Sequence, residues 1–408
     1  MSGALDGVRV VDLTHALAGP FSTMLLADQG ADVLKVEPLH GDSTRKMGPY
    51  APDDELRLFG GYFHSVNRNK RSIALDLKHP RAPEVLGRIL ADADVLVENY
   101  REGVMDRFGL PYEVLHERHP RLVYACIRGF GDRHTGNQAL PTSPYADWPA
   151  FDVVAQAMGG LMGVTGPDPQ HPMNAGAPVG DLVPGLFMAL GIVSAVHHAS
   201  KTGQGQLVDV AMYDGVLAIC ERIVYLNSYV GQIAEPQGAS NPQLCPFDAF
   251  PAKDGWVSIA APGERHWMLL CYLMGEHDLA NDPRYASNVD RVARAAEVRT
   301  LISAWTLRHT KAEIEHILGG IVPCGPVHTS AEIFADPHVA RREMLAQVEH
   351  PGMKRPATIV NTPIKMTETP GGVRTRAPLL GEHTEQVLAN VGYSPAEVAA
   401  LREARAIL

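Results

Sequence analysis

In the first 130 residues, short apolar runs alternate with stretches of helical spacing. Residues 8–13 and 32–36 are apolar runs, and between them a helical stretch over 21–29 stops at Gly30. Residues 72–77, 94–97 and 121–128 continue the strand series; 82–91 and most of 104–116 continue the helical one. This alternation predicts a parallel, doubly wound α/β sheet. Ligands of such sheets bind beyond the carboxyl ends of the strands. Those ends fall here at 14–20, at Glu37-Pro38, at 98–101 and at 128–130.

The pattern then changes. Residues 132–149, rich in Gly, Pro, Thr and Asn, read as a long surface loop, followed by a helix over 152–162. A glycine- and proline-rich stretch, 176–185, leads into an apolar helix over 186–198, which Gly203 and Gly205 end. A strand over 206–210 and a long helix over 212–229 follow. The polar, proline-bearing stretch 231–246 predicts a domain boundary. Beyond it lie a hairpin over 247–261, turning at Lys253-Asp254-Gly255, and helices over 267–274, 295–305 and 311–318, which together predict a smaller α+β domain. Residues 359–365 and terminal helices close the chain.

Composition narrows the function classes. A chain of 408 residues with 45% hydrophobic and 20% charged residues can bury a large core and suggests two domains. A formal charge of −10 argues against general nucleic-acid or anionic-membrane binding. Five scattered cysteines without a C-x-x-C fit reduced thiols and a cytoplasmic protein. The first residues lack the pattern of a signal peptide, and no apolar run approaches about 18 residues, so no membrane span is expected.

Several kinds of chemistry drop out. No G-x-G-x-x-G follows the first strand, so a dinucleotide site is not expected, and neither a P-loop G-K-[ST] nor a G-x-S-x-G elbow is present. The eighteen histidines include His116 and His119, and the adjacent His197 and His198. Neither set has metal-ligand spacing, and no metal is expected. Cys324, between prolines, has no neighbouring cation to activate it. Two features stay open. Arg68, Lys70 and Arg71, with Lys78 and Arg81 downstream, read either as a solvated cluster or as a polyphosphate site. Asp181, between a flexible loop and an apolar helix, reads either as a helix N-cap or as a carboxylate nucleophile held ionised by the helix end.

Several segments together resemble class III coenzyme A transferases, the family of formyl-CoA transferase and carnitine CoA-transferase. They include Gly30-Ala31-Asp32-Val33-Leu34-Lys35-Val36-Glu37, Asn69-Lys70-Arg71-Ser72, Glu98-Asn99-Tyr100, Gly180-Asp181, Lys201-Thr202-Gly203-Gln204-Gly205-Gln206, Pro323-Cys324-Gly325-Pro326 and Leu380-Gly381-Glu382-His383-Thr384. The likeness runs over nearly the whole chain in unbroken order. It implies a large Rossmann-like domain from both chain ends (1–230 and 335–408), a connector and small α+β domain between them (231–334), and an interlocked homodimer.

By the same resemblance Asp181 falls on the family's nucleophile. Leu17, Ala18, Leu75, Asp76, Leu77, Lys78, Asn99, Tyr100, Arg101 and Arg107 fall on coenzyme A contacts. The implied reaction moves CoA from an acyl-CoA donor to a carboxylic acid through an aspartyl anhydride and an aspartyl–CoA thioester. Acyl-CoA enters as substrate, with no permanently bound cofactor. Pro38 stands where formyl-CoA transferase has arginine and Leu17 where it has glutamine, and no run of glycines lies between Gly231 and Phe250. These departures point away from formyl or oxalyl groups; a small dicarboxylate such as succinate, itaconate, mesaconate or malate is expected only because such members abound in the family the chain resembles. The alternatives are an α-methylacyl-CoA racemase, whose acid–base histidine would fall on Phe151, and a non-catalytic acyl-CoA binder. Donor, acceptor and binding order are not legible at this level.

Overall fold

Alternating strands and helices resolve into one six-stranded sheet in a computed structural model of the chain, which describes residues 3–408. The strands are β1 (Arg9–Asp12), β2 (Asp32–Glu37), β3 (Lys70–Ala74), β4 (Val95–Glu98), β5 (Val123–Arg128) and β6 (Leu207–Ala211). Their order is β3-β2-β1-β4-β5-β6, all parallel. The order reverses between β1 and β4, where Val10 lies opposite Val33 on one side and Val95 on the other. At such a reversal the connecting helices leave on opposite faces and a crevice opens at the carboxyl ends.

Side chains alternate across the sheet, so each strand feeds two cores. Val10, Val33, Val95 and Val123 face α1 (Ala18–Asp28), α7 (Val179–Thr202) and α8 (Met212–Ile219). Val11, Leu34, Ile73 and Leu96 face α3 (Ala82–Leu90), α5 (Tyr112–Arg118) and the C-terminal helices Thr384–Asn390 and Pro395–Glu403. The remaining helices of this unit that matter below are α2 (Gly61–Asn67), α4 (Val104–Arg107) and α6 (Asp152–Met158). The outer edge of β3 would be an open pairing surface. The C-terminal segment covers it: His383 N–H donates to the Ser72 carbonyl at 2.9 Å, and Leu75 pairs with Ile407.

The chain divides into two units. One holds residues up to Leu161, Ala175–Ser228 and His338–Leu408; the other holds Met162–Asn174 and Tyr229–Pro337. The sequence boundaries left 162–174 in the large domain. The structure groups that segment with the second unit, where the Gly238 N–H donates to the Gly166 carbonyl at 2.8 Å. The second unit carries an antiparallel sheet of β7 (Phe247–Ala252), β8 (Gly255–Ala260) and β9 (Cys324–Pro326), packed on helices Glu264–Met274, Ala295–Thr306 and Lys311–Leu318 around Trp267 and Ile259.

Four local expectations are corrected. Helix α7 begins at Val179, seven residues before the predicted start, because the first helical N–H groups need no intrahelical acceptor and Pro184 removes only one bond. By length and composition α7 would also pass for a membrane span, although it packs on α1, α6, α8 and β5. The predicted helix over 104–116 breaks at Gly109, whose φ is +71°, and Pro111. The helix over 212–229 breaks at Cys220 into α8 and α9 (Glu221–Val230).

The fourth correction concerns the basic stretch: Arg68, Lys70 and Arg71 are engaged by carboxylates rather than free to hold phosphates, while Lys78 stays exposed. Lys70 is buried and its Nζ lies 3.0 Å from Asp12 Oδ2, the Pro20 carbonyl and Asn67 Oδ1. Arg68 forks onto Asp28, and Arg71 onto Asp32. The cations neutralise carboxylates of neighbouring elements, because a charge removed from water needs a partner. Burial by itself would raise the Asp12 carboxyl, but the ammonium groups of Lys70 and Lys35 outweigh it and hold Asp12 below the usual range.

Candidate active site

The loop after β1 and the loop after β4 meet at the reversal of the sheet. Asn99 Oδ1 accepts the His15 N–H at 2.9 Å, and Asn99 Nδ2 donates to the His15 carbonyl at 2.8 Å. That double bond locks the β1 loop, in which Ala16 takes a left-handed conformation at φ +64° that costs energy for a residue with a side chain. The Tyr100 ring lies 5.4 Å from that of His15, tilted to it, and 5.8 Å from that of Phe108, edge to face. Beside them opens a cleft of about 230 Å³ lined by Thr14, His15, Pro38, His40, Ser43 and Tyr100. Its floor is fixed by buried ion pairs: Lys35 lies 3.1 Å from Asp42, and Arg45 forks onto Glu37 at 2.7 Å.

Asp181 approaches from α7. It is the third residue of the helix rather than its N-cap, which is Pro178, and no side-chain capping bond forms. Gly185 sets the approach: a Cβ there would lie 2.8 Å from the Ala18 carbonyl oxygen, so only glycine lets α7 close on the start of α1. Leu182 then joins the apolar cluster of Leu17, Met24 and Val66, with Phe21 and Tyr62 at its rim. The Asp181 carboxyl makes no hydrogen bond to any side chain or backbone group among the described residues. Burial pushes its pKa up to about 7, and the nearby Asp152 carboxylate adds to the rise. The raised value runs against the expectation that the helix end holds it ionised, because burial and a like charge both disfavour the carboxylate.

The sign of the resulting pH dependence is fixed. The folded-state value near 7 lies above the ordinary aspartate value near 3.8, so charging Asp181 opposes folding. That cost is absent below about pH 4, grows between 4 and 7, and is constant above. Asp181→Asn is expected to raise Tm at pH 8, with a gain that disappears at pH 4. A gain of equal size at both pH values would contradict the shift.

The sequence-predicted coenzyme contacts separate into groups. Leu17, Ala18, Asn99 and Tyr100 come together at the sheet reversal. Leu75 to Lys78 leave β3 two strands away, where Asp76 N–H donates to the Ala406 carbonyl at 2.9 Å. Lys78, Arg101 and Arg107 are exposed, and Leu77 is half-buried against the core. Leu17 and Leu75 have buried side chains packed into cores, so those side chains are not open to a ligand. His15, His40 and Tyr62 were not singled out from sequence. Each stands alone in its segment, and only the fold carries it to this edge.

A Rossmann-like sheet with a cleft at its reversal, and an unpartnered carboxyl at the start of an adjoining helix, defines the class of α/β protein to which this chain belongs. Residues 5–384 match CoA-transferase family III, and the chain belongs to that family. It is 46% identical to a succinyl-CoA:mesaconate CoA-transferase of Haloarcula hispanica, over 96% of this chain and 97% of that protein. It is 38% identical to a succinate–glutarate CoA-transferase of Agrobacterium fabrum, over 95% of each. Among solved structures, a CAIB/BAIF family protein from Brucella suis superposes with a TM-score of 0.84 at 34% identity, covering 96% of this chain and 100% of that one.

Proposed function

We propose that this family III CoA-transferase moves coenzyme A between small dicarboxylic acids, with Asp181 as the covalent nucleophile. The observation that carries the reading is the Asp181 carboxyl, seated at the close contact of α7 with α1 and left without a hydrogen-bond partner. A structural cap or ion-pair carboxylate would have spent its lone pairs; a nucleophile must keep one. Relatives named for succinyl-CoA with mesaconate and for succinate with glutarate support a dicarboxylate as the acyl group.

In the first step an Asp181 oxygen forms a C–O bond to the thioester carbonyl of the donor and the C–S bond breaks, leaving an acyl–aspartyl anhydride and CoA thiolate. The thiolate attacks the aspartyl carbonyl, releases the donor carboxylate and leaves an aspartyl–CoA thioester. The acceptor carboxylate attacks that carbonyl and expels the thiolate. The thiolate then takes the acceptor acyl group and frees Asp181. Keeping the acyl group activated throughout requires excluding water. The cleft at the sheet reversal, with Asn99, Tyr100 and Ala18, is the seat we assign to the coenzyme arm. Lys78, Arg101 and Arg107 offer exposed cations to its phosphates.

The same proposal includes an interlocked homodimer acting in the cytoplasm. Leu186, Leu190 and Val193 of α7 are exposed, an apolar face that a second copy would cover. A single-chain mass in solution would exclude this. The racemase reading is not favoured, since Phe151 brings no acid or base to the position it would need. With succinyl-CoA as donor, a screen of carboxylic acids is expected to show transfer to four- and five-carbon dicarboxylates at least about tenfold faster than to monocarboxylates. Activity confined to monocarboxylates would reject the assignment.

A further inference from the structure

The half-buried Asp152 and the buried Gln156 form a polar relay to the lead-in of Asp181 that the reaction scheme does not use. Asp152, the first residue of α6, accepts the Gly180 N–H at 2.7 Å. Gln156, one helical turn on and fully buried, donates its Nε2 to both Asp152 oxygens at 2.9 Å. The Gln156 Oε1 accepts the Ala175 N–H, also at 2.9 Å. Ala175 opens and Gly180 closes the lead-in to Asp181, so Gln156 ties one end of that segment to α6 and Asp152, held by Gln156, ties the other. The fit is tight: a Cβ at Gly180 would lie 2.4 Å from the Asp152 carbonyl oxygen.

Resting on the nucleophile reading above, we propose that Gln156 and Asp152 form a positioning clamp that fixes the loop 175–180 and thereby aims Asp181 at the thioester. A bare structural tie would need only one hydrogen bond at one end of the loop. Here a buried amide uses its donor on a carboxylate and its acceptor on the backbone, an arrangement that leaves an unsatisfied polar group if any member is lost. Asp152 also presents charge to the nucleophile. Against the first turn of α7, α6 offers Asp152, and Tyr62 of α2 shares an apolar cluster with Leu182, its phenol raised by its own burial and then by Asp181. The facing turn of α1 carries Ala18, Phe21 and Ser22, and Asp214 on α8 responds to its own burial and to Asp209. Asp152 is thus the charged group whose removal changes the ionisation of Asp181.

The test compares wild type, Asp152→Asn and Gln156→Leu in single-turnover release of CoA thiol from succinyl-CoA between pH 5 and 9, with Tm recorded for each. Asp152→Asn keeps the shape and an acceptor for the Gly180 N–H but removes the charge. Its rise of rate with pH is expected to move toward lower pH by roughly half a unit or more. Gln156→Leu frees the loop at similar volume. Its plateau rate is expected to fall roughly tenfold or more with little change in KM for succinyl-CoA, because a misaimed nucleophile loses rate before binding. Backbone hydrogen exchange in the 175–182 segment is expected to quicken in Gln156→Leu. A folded Asp152→Asn enzyme with the wild-type pH limb, or a Gln156→Leu enzyme with wild-type rate and exchange, overturns the clamp. Should Gln156→Leu not fold, Asp152→Ala, which removes the acceptor of the Gly180 N–H, takes its place, and a folded Asp152→Ala enzyme with wild-type plateau rate and exchange overturns the clamp. Wild type that releases no CoA in the single turnover would instead sink the nucleophile reading, while the exchange measurement still reports on the loop.

Discussion

Asp181→Ala is expected to lower CoA transfer by about 10⁴-fold or more while leaving affinity for free CoA close to wild type. The size follows from the proposed role of Asp181 as covalent nucleophile, whose loss would withdraw the step that every later one depends on. Binding should persist because the cleft is built by other elements: Asn99 and His15 lock its wall through two hydrogen bonds, and Lys35, Asp42, Arg45 and Glu37 fix its floor. Calorimetric titration with CoA, run beside the transfer assay, separates the two effects. Turnover within tenfold of wild type would take the nucleophile role away from Asp181, and lost CoA binding would mean that α7 itself had moved.

The second large effect is on stability. Lys70→Met is expected to cost about 3–5 kcal/mol in urea unfolding at pH 7, enough to threaten the fold. The variant leaves Asp12 buried with its hydroxyl partners, Thr14 and Thr23, but without the ammonium 3.0 Å away. Adding Asp12→Asn is expected to restore part of the loss, since it removes a buried charge that Lys35 alone then compensates. The comparison is Arg71→Ala, the next residue of the same strand. Its pair with Asp32 keeps side-chain exposures of 30% and 45%, so water already screens it and a loss of less than about 1 kcal/mol is expected. Equal losses at Lys70 and Arg71 would contradict the account of the buried network.

The same residues show what the sequence could and could not tell. Strand periodicity and the alternation with helices were enough for a parallel, doubly wound sheet, because a strand buried on both faces leaves a local trace in each short segment. The family was also legible, through the likeness of Gly180-Asp181 and the segments around it. The partners of Lys70 were not: Asp12 lies 58 residues away, and a run of cations looks alike whether it meets water, phosphate or buried carboxylates. The start of α7 was missed because Gly180 and Pro184 read locally as helix breakers. Their cost is offset by contacts from α6 and α1 that no window of sequence contains. Gln156 gave no signal at all, being one ordinary helical residue whose acceptor and donor partners lie 4 and 19 positions off.

The most direct test of the central claim is to incubate the enzyme with succinyl-CoA at pH 8, quench with hydroxylamine and map the modified peptide by mass spectrometry. An activated aspartyl carbonyl is expected to be captured as a hydroxamate at Asp181, with none on the Asp181→Asn protein. A modified residue elsewhere, or an unmodified enzyme that still transfers CoA, would contradict the mechanism.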